Sequence, residues 1–430
     1  MSSTPPPILP APISSVIGAP TPARAAWVVP VHIAASSLVQ SVWMSVVFIT
    51  PILAKKHFKA ADWQTLVITA APTVFFTLSI FWNDLFRRRS FAMYMLLFWL
   101  VACAPAALIA FADNYTFLVI PYLIMCVGGA GLHPATGDLY RALYPAAIRG
   151  RIYSLVWGSS MVIGAAAGWF AGHSLDGHPD AYRVIYPVTA ALQLLGAGMF
   201  MLLSHASGHS SARVHDASAD TRSMWKRVTE PITHAREVLA EDPIFARYEA
   251  SFMTYGVGWM ICYALLPLLV TDKLRLSYES IAESTHVAYW VALAVMIYPA
   301  GMLMDRIGAV RTTGLSFLLL TLYPIGLMLS GDARQLLITS VVYGVAHSGA
   351  NVGWMLGPVS LAPTPEKVPQ YVAIHATLVG VRGKVFQFAG MALYWVTGSF
   401  ATPLAIAALA LAWSAVQMWQ LDRRMGPRGK

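Results

Sequence analysis

Apolar runs of about 20 residues, each closed by a short turn bearing Pro, Gly or charged groups, recur along almost the whole chain. A helix rises about 1.5 Å per residue, so about 20 mostly apolar residues cross the hydrocarbon core of a bilayer. By that measure the sequence predicts twelve spans, near residues 27–53, 63–82, 91–112, 115–136, 150–172, 184–204, 247–271, 285–304, 312–330, 334–358, 370–398 and 402–420. Two stretches break the pattern. Residues 1–26 are rich in Pro and Ser with no basic segment leading an apolar run, so they read as a disordered tail and not a signal peptide. Residues 205–246 are polar and divide the spans six and six, and Arg222 to Arg247 suits an amphipathic helix on the cytoplasmic interface. The expected architecture is an all-α membrane protein of twelve transmembrane helices. Six-helix bundles cover 27–204 and 247–420, joined by a cytoplasmic loop over 205–246 and followed by a cytoplasmic tail over 421–430.

Composition agrees with that pattern. Of 430 residues, 57% are hydrophobic and 11% charged, and the mean hydropathy is +0.59. Ordinary globular chains carry about 25% charged residues. A soluble enzyme, a nucleic-acid module and a secreted disulfide scaffold are therefore excluded. Cys103, Cys126 and Cys262 lie in apolar runs at unrelated spacings and read as small core residues. The net charge of +9 has a membrane explanation, because basic residues are retained on the cytoplasmic side. With the N-terminus inside, about 20 of the 29 Lys and Arg fall on that side and about seven outside. Lys55, Lys56 and Lys59 in the first external loop go against the rule and are outvoted. Both termini are expected in the cytoplasm, in a multi-pass protein of a bacterial inner (plasma) membrane whose partners are the lipid bilayer and a small-molecule solute. A monomer is expected, with no nucleic-acid partner, cofactor or metal.

An internal repeat accompanies the six-plus-six count. Gly131 and Gly353, Gly158 and Gly380, and Gly168 and Gly390 are each 222 positions apart, and Asp84 and Asp305 are 221 apart. The segment after the eighth span reads Gly301-Met-Leu-Met-Asp305-Arg306-Ile-Gly308-Ala-Val-Arg311. It resembles the signature of the major facilitator superfamily, Gly-x-x-x-Asp-Arg-x-Gly-x-x-Arg, found between the second and third helices of each half. The expected roles are physical: Gly301 for close helix approach, Asp305 at a helix end, and Arg306 and Arg311 on acidic groups or helix C-termini across the half-interface. The first-half copy keeps Asp84 and Arg87, Arg88 and Arg89, but Ile80, Leu85 and Arg87 replace its first Gly, its Arg and its second Gly. The fifth span carries a ladder of small residues, Gly158, Gly164, Gly168 and Gly172, with Trp169 where the family's antiporter motif has proline. Helix packing explains that ladder equally well. The resemblance covers about 27–420. It implies two helical bundles that rock about one midplane site lined mainly by helices 1, 4, 7 and 10, and it names no substrate.

Ionisable groups inside a span are costly and mark function by default. Arg382 and Lys384 admit two placements. Matching Arg382-Gly383 to Arg149-Gly150 sets them at the cytoplasmic start of helix 11, but leaves only about 15 residues before Pro403. The 222 offset sets Arg382 opposite Ser160, mid-helix, and is the expectation adopted. At about 100° per residue His375 and Arg382 share a face, while Lys384 points away toward helix partners or the interface. Arg382 and His375 are thus expected to face the substrate, and a cavity Arg with no acidic partner suits an anion. Its alternative is a structural Arg bonded to backbone carbonyls. Asp84, Asp305 and Glu249 lie near span ends, so a proton symporter built on a buried carboxylate is not expected. Any proton carrier would be His32, His347 or His375, each of which also suits a packing role. Gln40, Tyr255, Tyr263, Asn351 and Trp354 complete the expected lining, with helix packing as the alternative for each.

The expectation is a secondary active or facilitative transporter of a small anionic organic solute, working by alternating access and not an enzyme. Two rivals stand beside it: a drug or metabolite exporter with an aromatic cavity, and a non-transporting receptor or assembly factor on the same fold.

Overall fold

The computed structural model describes residues 22–207, 233, 235–364 and 367–425. Residues 1–21 of the expected tail, most of the loop at 205–246 and the end at 426–430 therefore lie outside the described residues, as does Arg222 in the expected interfacial helix; its residues 235–241 are helical.

Apart from the stretch between residues 207 and 242, helical segments follow one another with short turns. We label them α1 (22–56), α2 (62–88), α3 (91–109), α4 (115–143), α5 (146–177), α6 (179–206), α7 (243–273), α8 (278–307), α9 (309–329), α10 (333–361), α11 (368–397) and α12 (401–425). Eight of them (α1, α3, α5 to α9 and α12) are long and apolar enough to cross a membrane by length and composition, and the Tyr115–Gly129 part of α4 is a shorter apolar helix. Their starts are written in polar caps. Asn114 accepts from Phe117 N–H (3.1 Å), Asp242 from Ile244 and Phe245 N–H (3.0 Å each), and Asp332 from Gln335 N–H (2.8 Å). Each cap satisfies donors that the first helical turn leaves unpaired. Gly308, with φ +88°, ends α8 and opens α9 in a conformation that side-chain-bearing residues avoid.

Packing follows two groups. Within the first six segments α1 lies against α5 and α6, and α3 against α4 and α6; within the last six α7 lies against α11 and α12, and α10 against α8 and α9. Between the groups α2 meets α11, and α5 meets α8. Apolar side chains such as Phe111, Val184, Val295, Leu329, Val396 and Leu409 stay exposed, which in lipid costs nothing.

The face that carries the α1–α2, α5–α6 and α7–α8 turns is tied shut between the groups. Lys55 holds Asp62 (2.5 Å) and reaches across to Asp272 (3.0 Å), and Lys56 Nζ donates to the Leu276 carbonyl (2.6 Å). The Asp176 carboxylate accepts from the N–H groups of Tyr278 and Glu279 (2.8 Å each), and His173 Nδ1 meets Glu279 (2.9 Å). Deeper in, the ties become neutral: His286 Nε2 bonds the Gly164 carbonyl (3.1 Å), and Gln387 Nε2 donates to Thr73 Oγ1 (2.9 Å). The three lysines that oppose the charge rule are thus not free loop charges. Lys55 and Lys56 spend theirs on closing this face.

The signature segment departs from its expected geometry. A side chain at Gly301 would meet nothing within 4 Å, so this glycine serves no close approach here. Arg311 Nε pairs with Asp422 at 2.9 Å, on α12 of its own group and not across the interface. Asp305 and Arg306 are exposed at the end of α8. Asp84, Arg87 and Arg88 lie on α2, and their side chains are outside the described residues.

Candidate functional site

The site is built on α7 and α11. Arg382 is the fifteenth of 30 residues in α11 and only 2% exposed, which fixes the mid-helix placement over the terminal one. Its Nη1 donates to the Phe252 carbonyl of α7 (2.7 Å). The guanidinium carbon lies 5.1 Å from the Tyr255 ring centre and 5.9 Å from that of Trp259, within cation–π range. Gly256 makes the path: a Cβ there would overlap Arg382 Cδ, so only glycine lets the side chain cross α7. Arg382 Nε is buried without a protein hydrogen-bond partner.

Two turns back along α11, His375 points the same way. Its Nδ1 lies 2.8 and 2.9 Å from the two oxygens of Glu249 on α7, and both residues are about 2% exposed. His375 Nε2, like Arg382 Nε, has no protein partner. This corrects the expectation that no buried acid accompanies the Arg. Glu249 is the seventh residue of the helix Pro243–Leu268, near a span end as read from sequence, but enclosed by α11. It stands one turn from Phe252, whose carbonyl holds Arg382, and acts on that guanidinium electrostatically. The shared face of His375 and Arg382 follows from their seven-residue spacing, and it turns toward α7 and not into an open cavity. Lys384 points elsewhere, donating to Thr77 of α2 (3.1 Å).

An aromatic cage adjoins Arg382 and His375. His347 of α10 accepts or donates at both ring nitrogens, to Tyr255 Oη (2.9 Å) and Tyr289 Oη (2.7 Å). Trp259 Nε1 donates to Tyr343 Oη (2.6 Å), and the Tyr343 ring stacks on His347 at 5.0 Å. Trp354 reaches the His375 ring at 5.8 Å. Of the residues expected from sequence, Arg382, His375, Tyr255, Trp354 and His347 come together here. Tyr263 joins only through Trp259, at 6.4 Å between rings. Asn351 spends its amide on the His347 carbonyl of its own helix (3.0 Å).

Two expected residues lie apart. His32 is fully buried among the first six segments, with Nδ1 2.9 Å from Tyr144 Oη and its ring 4.6 Å from that of Tyr140. Gln40 lines a cleft of about 10 Å³ with Ser41, Trp157, Ser160 and Trp290, room for one water and no more. Sequence reasoning missed Glu249, Trp259, Tyr289 and Tyr343. The Tyr255, Trp259, Tyr263 series at every fourth position of α7 was a usable sign.

Known proteins share this fold. The family model described as Major Facilitator Superfamily matches residues 31–284. No curated protein matches the sequence. Among solved structures, a peptide transporter POT in complex with sulfate superposes with a TM-score of 0.74 at 11% identity, over 93% of this chain and 94% of that one. A POT family transporter in complex with 5-aminolevulinic acid gives 0.71 at 12%, over 93% and 96%. A bacterial homolog of the human lysosomal transporter Spinster, inward-facing and occupied, gives 0.66 at 14%, over 94% and 98%. The chain, an all-helical membrane protein with a transporter's fold, belongs to the major facilitator superfamily.

Proposed function

We propose that this protein is a secondary transporter of a small organic solute bearing an anionic group, with Arg382 as the anion-binding cation. The observation that carries the reading is the buried guanidinium at the middle of α11, held by one backbone carbonyl and with Nε free of protein partners. A charge in that position is expensive in a membrane, and a guanidinium forks onto carboxylate or phosphate. Related folds are described in complex with sulfate and with 5-aminolevulinic acid, both anion-bearing, which supports the class without naming the solute.

Glu249 adds a coupling step. With His375 neutral, the Glu249 and Arg382 charges cancel. A proton on His375 leaves the cluster with one net positive charge, matched to one anionic group. Proton and anion then bind together and leave together, so a proton gradient drives the solute. Of the other carriers expected from sequence, His347 bonds Tyr255 and Tyr289 and His32 bonds Tyr144, and neither faces a carboxylate in the described structure.

In this reading all twelve segments cross the membrane, in bundles over 27–204 and 247–420, with both termini in the cytoplasm of a bacterial cell and the α1–α2 face outside. The protein acts as a monomer, and the tied face marks the inward-facing stage of alternating access. The test is uptake by proteoliposomes of radiolabelled metabolite anions. Wild type concentrates one of them when the lumen is alkaline, Arg382→Ala does not, and stabilisation of the purified protein by neutral or cationic compounds alone overturns the anion class. A second reading, an exporter of apolar compounds, is favoured by the cage of Tyr255, Trp259, Tyr289 and Tyr343 around His347. It requires that Arg382→Ala leave resistance to lipophilic compounds intact. A receptor on the same fold would lose its output, and not solute flux, on deletion of residues 210–240.

A further inference from the structure

Outside the central cluster, a cavity of about 450 Å³ opens on the tied face, lined by Lys55, Lys56, Lys59 and Ala60 from one group and Thr271, Asp272, Arg275 and Leu276 from the other. Four cations face one carboxylate there. Lys55 is matched by Asp62 and Asp272. Lys56 sits 4.3 Å from the Tyr278 ring centre and donates to a carbonyl, and Asp176 acts on it electrostatically. Lys59 donates only to the Lys56 carbonyl (2.8 Å). Arg275 is exposed and makes no side-chain hydrogen bond or ion pair within the described structure.

The backbone beneath these cations is the same twice over. Phe58 N–H bonds Leu53 and Ala60 N–H bonds Ala54; in the other turn Leu274 N–H bonds Leu269 and Leu276 N–H bonds Val270. Between them Lys59 has φ +53° and Arg275 φ +51°. These are the non-glycine residues of positive φ in the chain's described part, and each stands where a helix end prefers Gly or Asn. Cations near a helix C-terminus suit its dipole, but that purpose needs neither a strained backbone nor a pocket. Strain kept at two matching positions points to what the side chains do.

We infer that Lys59 and Arg275, with Lys56 behind them, form an anion site for a phosphate or carboxylate group on the outer face, separate from Arg382. The pocket is complete only when the two groups are tied together, because each supplies part of its cations. A ligand that binds one arrangement draws the population toward it. The anion is therefore a clamp that holds the outer face shut and slows transport from outside. The source is either a free anion or the phosphate of a lipid headgroup at the membrane rim.

The experiment titrates purified full-length protein in neutral detergent with sodium phosphate, against sodium chloride at equal ionic strength. The expected result is saturable heat on calorimetric titration, one phosphate per chain, and a raised unfolding temperature. Lys59→Gly with Arg275→Gly removes both charges while relieving the backbone, so folding is preserved and the phosphate heat is lost; Arg382→Ala keeps it. Phosphate heat that survives the glycine pair, or disappears only in Arg382→Ala, overturns the proposal, as does no saturable heat in wild type under either lipid condition. Nanodiscs decide the source. In phosphatidylcholine discs phosphate still binds, whereas in phosphatidylglycerol discs a headgroup occupant suppresses it and the glycine pair alone restores no binding.

Discussion

Ser160 of α5 and Arg382 of α11 stand 222 positions apart, and each packs its segment against the first helix of its own group. At Ser160 the join is neutral: its carbonyl accepts from Ser41 Oγ of α1 (2.6 Å), and Ser45 Oγ bonds the Gly164 carbonyl (3.1 Å). At Arg382 the same place holds a cation, with Glu249 and His375 beside it. Short hydroxyls bonding backbone carbonyls join helices in lipid at little cost. Ionised groups cost about 3 kcal/mol each by insertion scales and return nothing to packing that serine does not. One scaffold position thus serves structure in one group and, in the proposed reading, binds the solute in the other.

That contrast can be broken by mutation. Arg382→Ala should lower uptake of the proposed anionic solute by about 100-fold, the loss expected when one member of a buried charged contact is removed. Ser160→Ala should change it by less than about twofold; equal losses in proteoliposome uptake would erase the distinction. Glu249→Gln removes the acid while keeping the shape. Solute exchange between equal pools should persist, while accumulation driven by an alkaline lumen falls about tenfold, a tenfold step being about 1.4 kcal/mol. Losing both together would reduce Glu249 to a packing role. Glycines give a quieter version of the comparison. Gly256→Ala collides with Arg382 and should destabilise by about 1–3 kcal/mol in thermal unfolding, whereas a Cβ at Gly164 would sit 3.4 Å from Ser41 Cβ, an ordinary contact. The smallest effect belongs to the tied face. Lys55→Ala loses partly exposed pairs worth under about 1 kcal/mol, a shift of up to about fivefold toward opening of this face in spin-label distances.

Much of this arrangement is legible in the amino-acid order. Apolar length gave the segments, and the 222 offset chose the mid-helix place of Arg382 over the terminal one. The seven-residue step put His375 beside it. Other features had no local sign. Glu249 looks like a membrane-rim residue until α11, 126 positions later, covers it and supplies the His. Arg311 finds Asp422 across 111 positions, so the family signature foretold a latch between groups that the fold spends within one. Lys384 reaches Thr77 over 307 positions.

The order of residues alone places this chain in lipid, marks where its helices lie, and puts Arg382 and His375 on one face of α11, because hydropathy and helical period are properties of neighbours. Which acid meets His375 beside Arg382, which turns tie the two groups together and where four lysine and arginine side chains gather were decided only in three dimensions. Charge interacts through space at a few ångströms, and in this fold those ångströms join residues that the sequence holds one to three hundred positions apart.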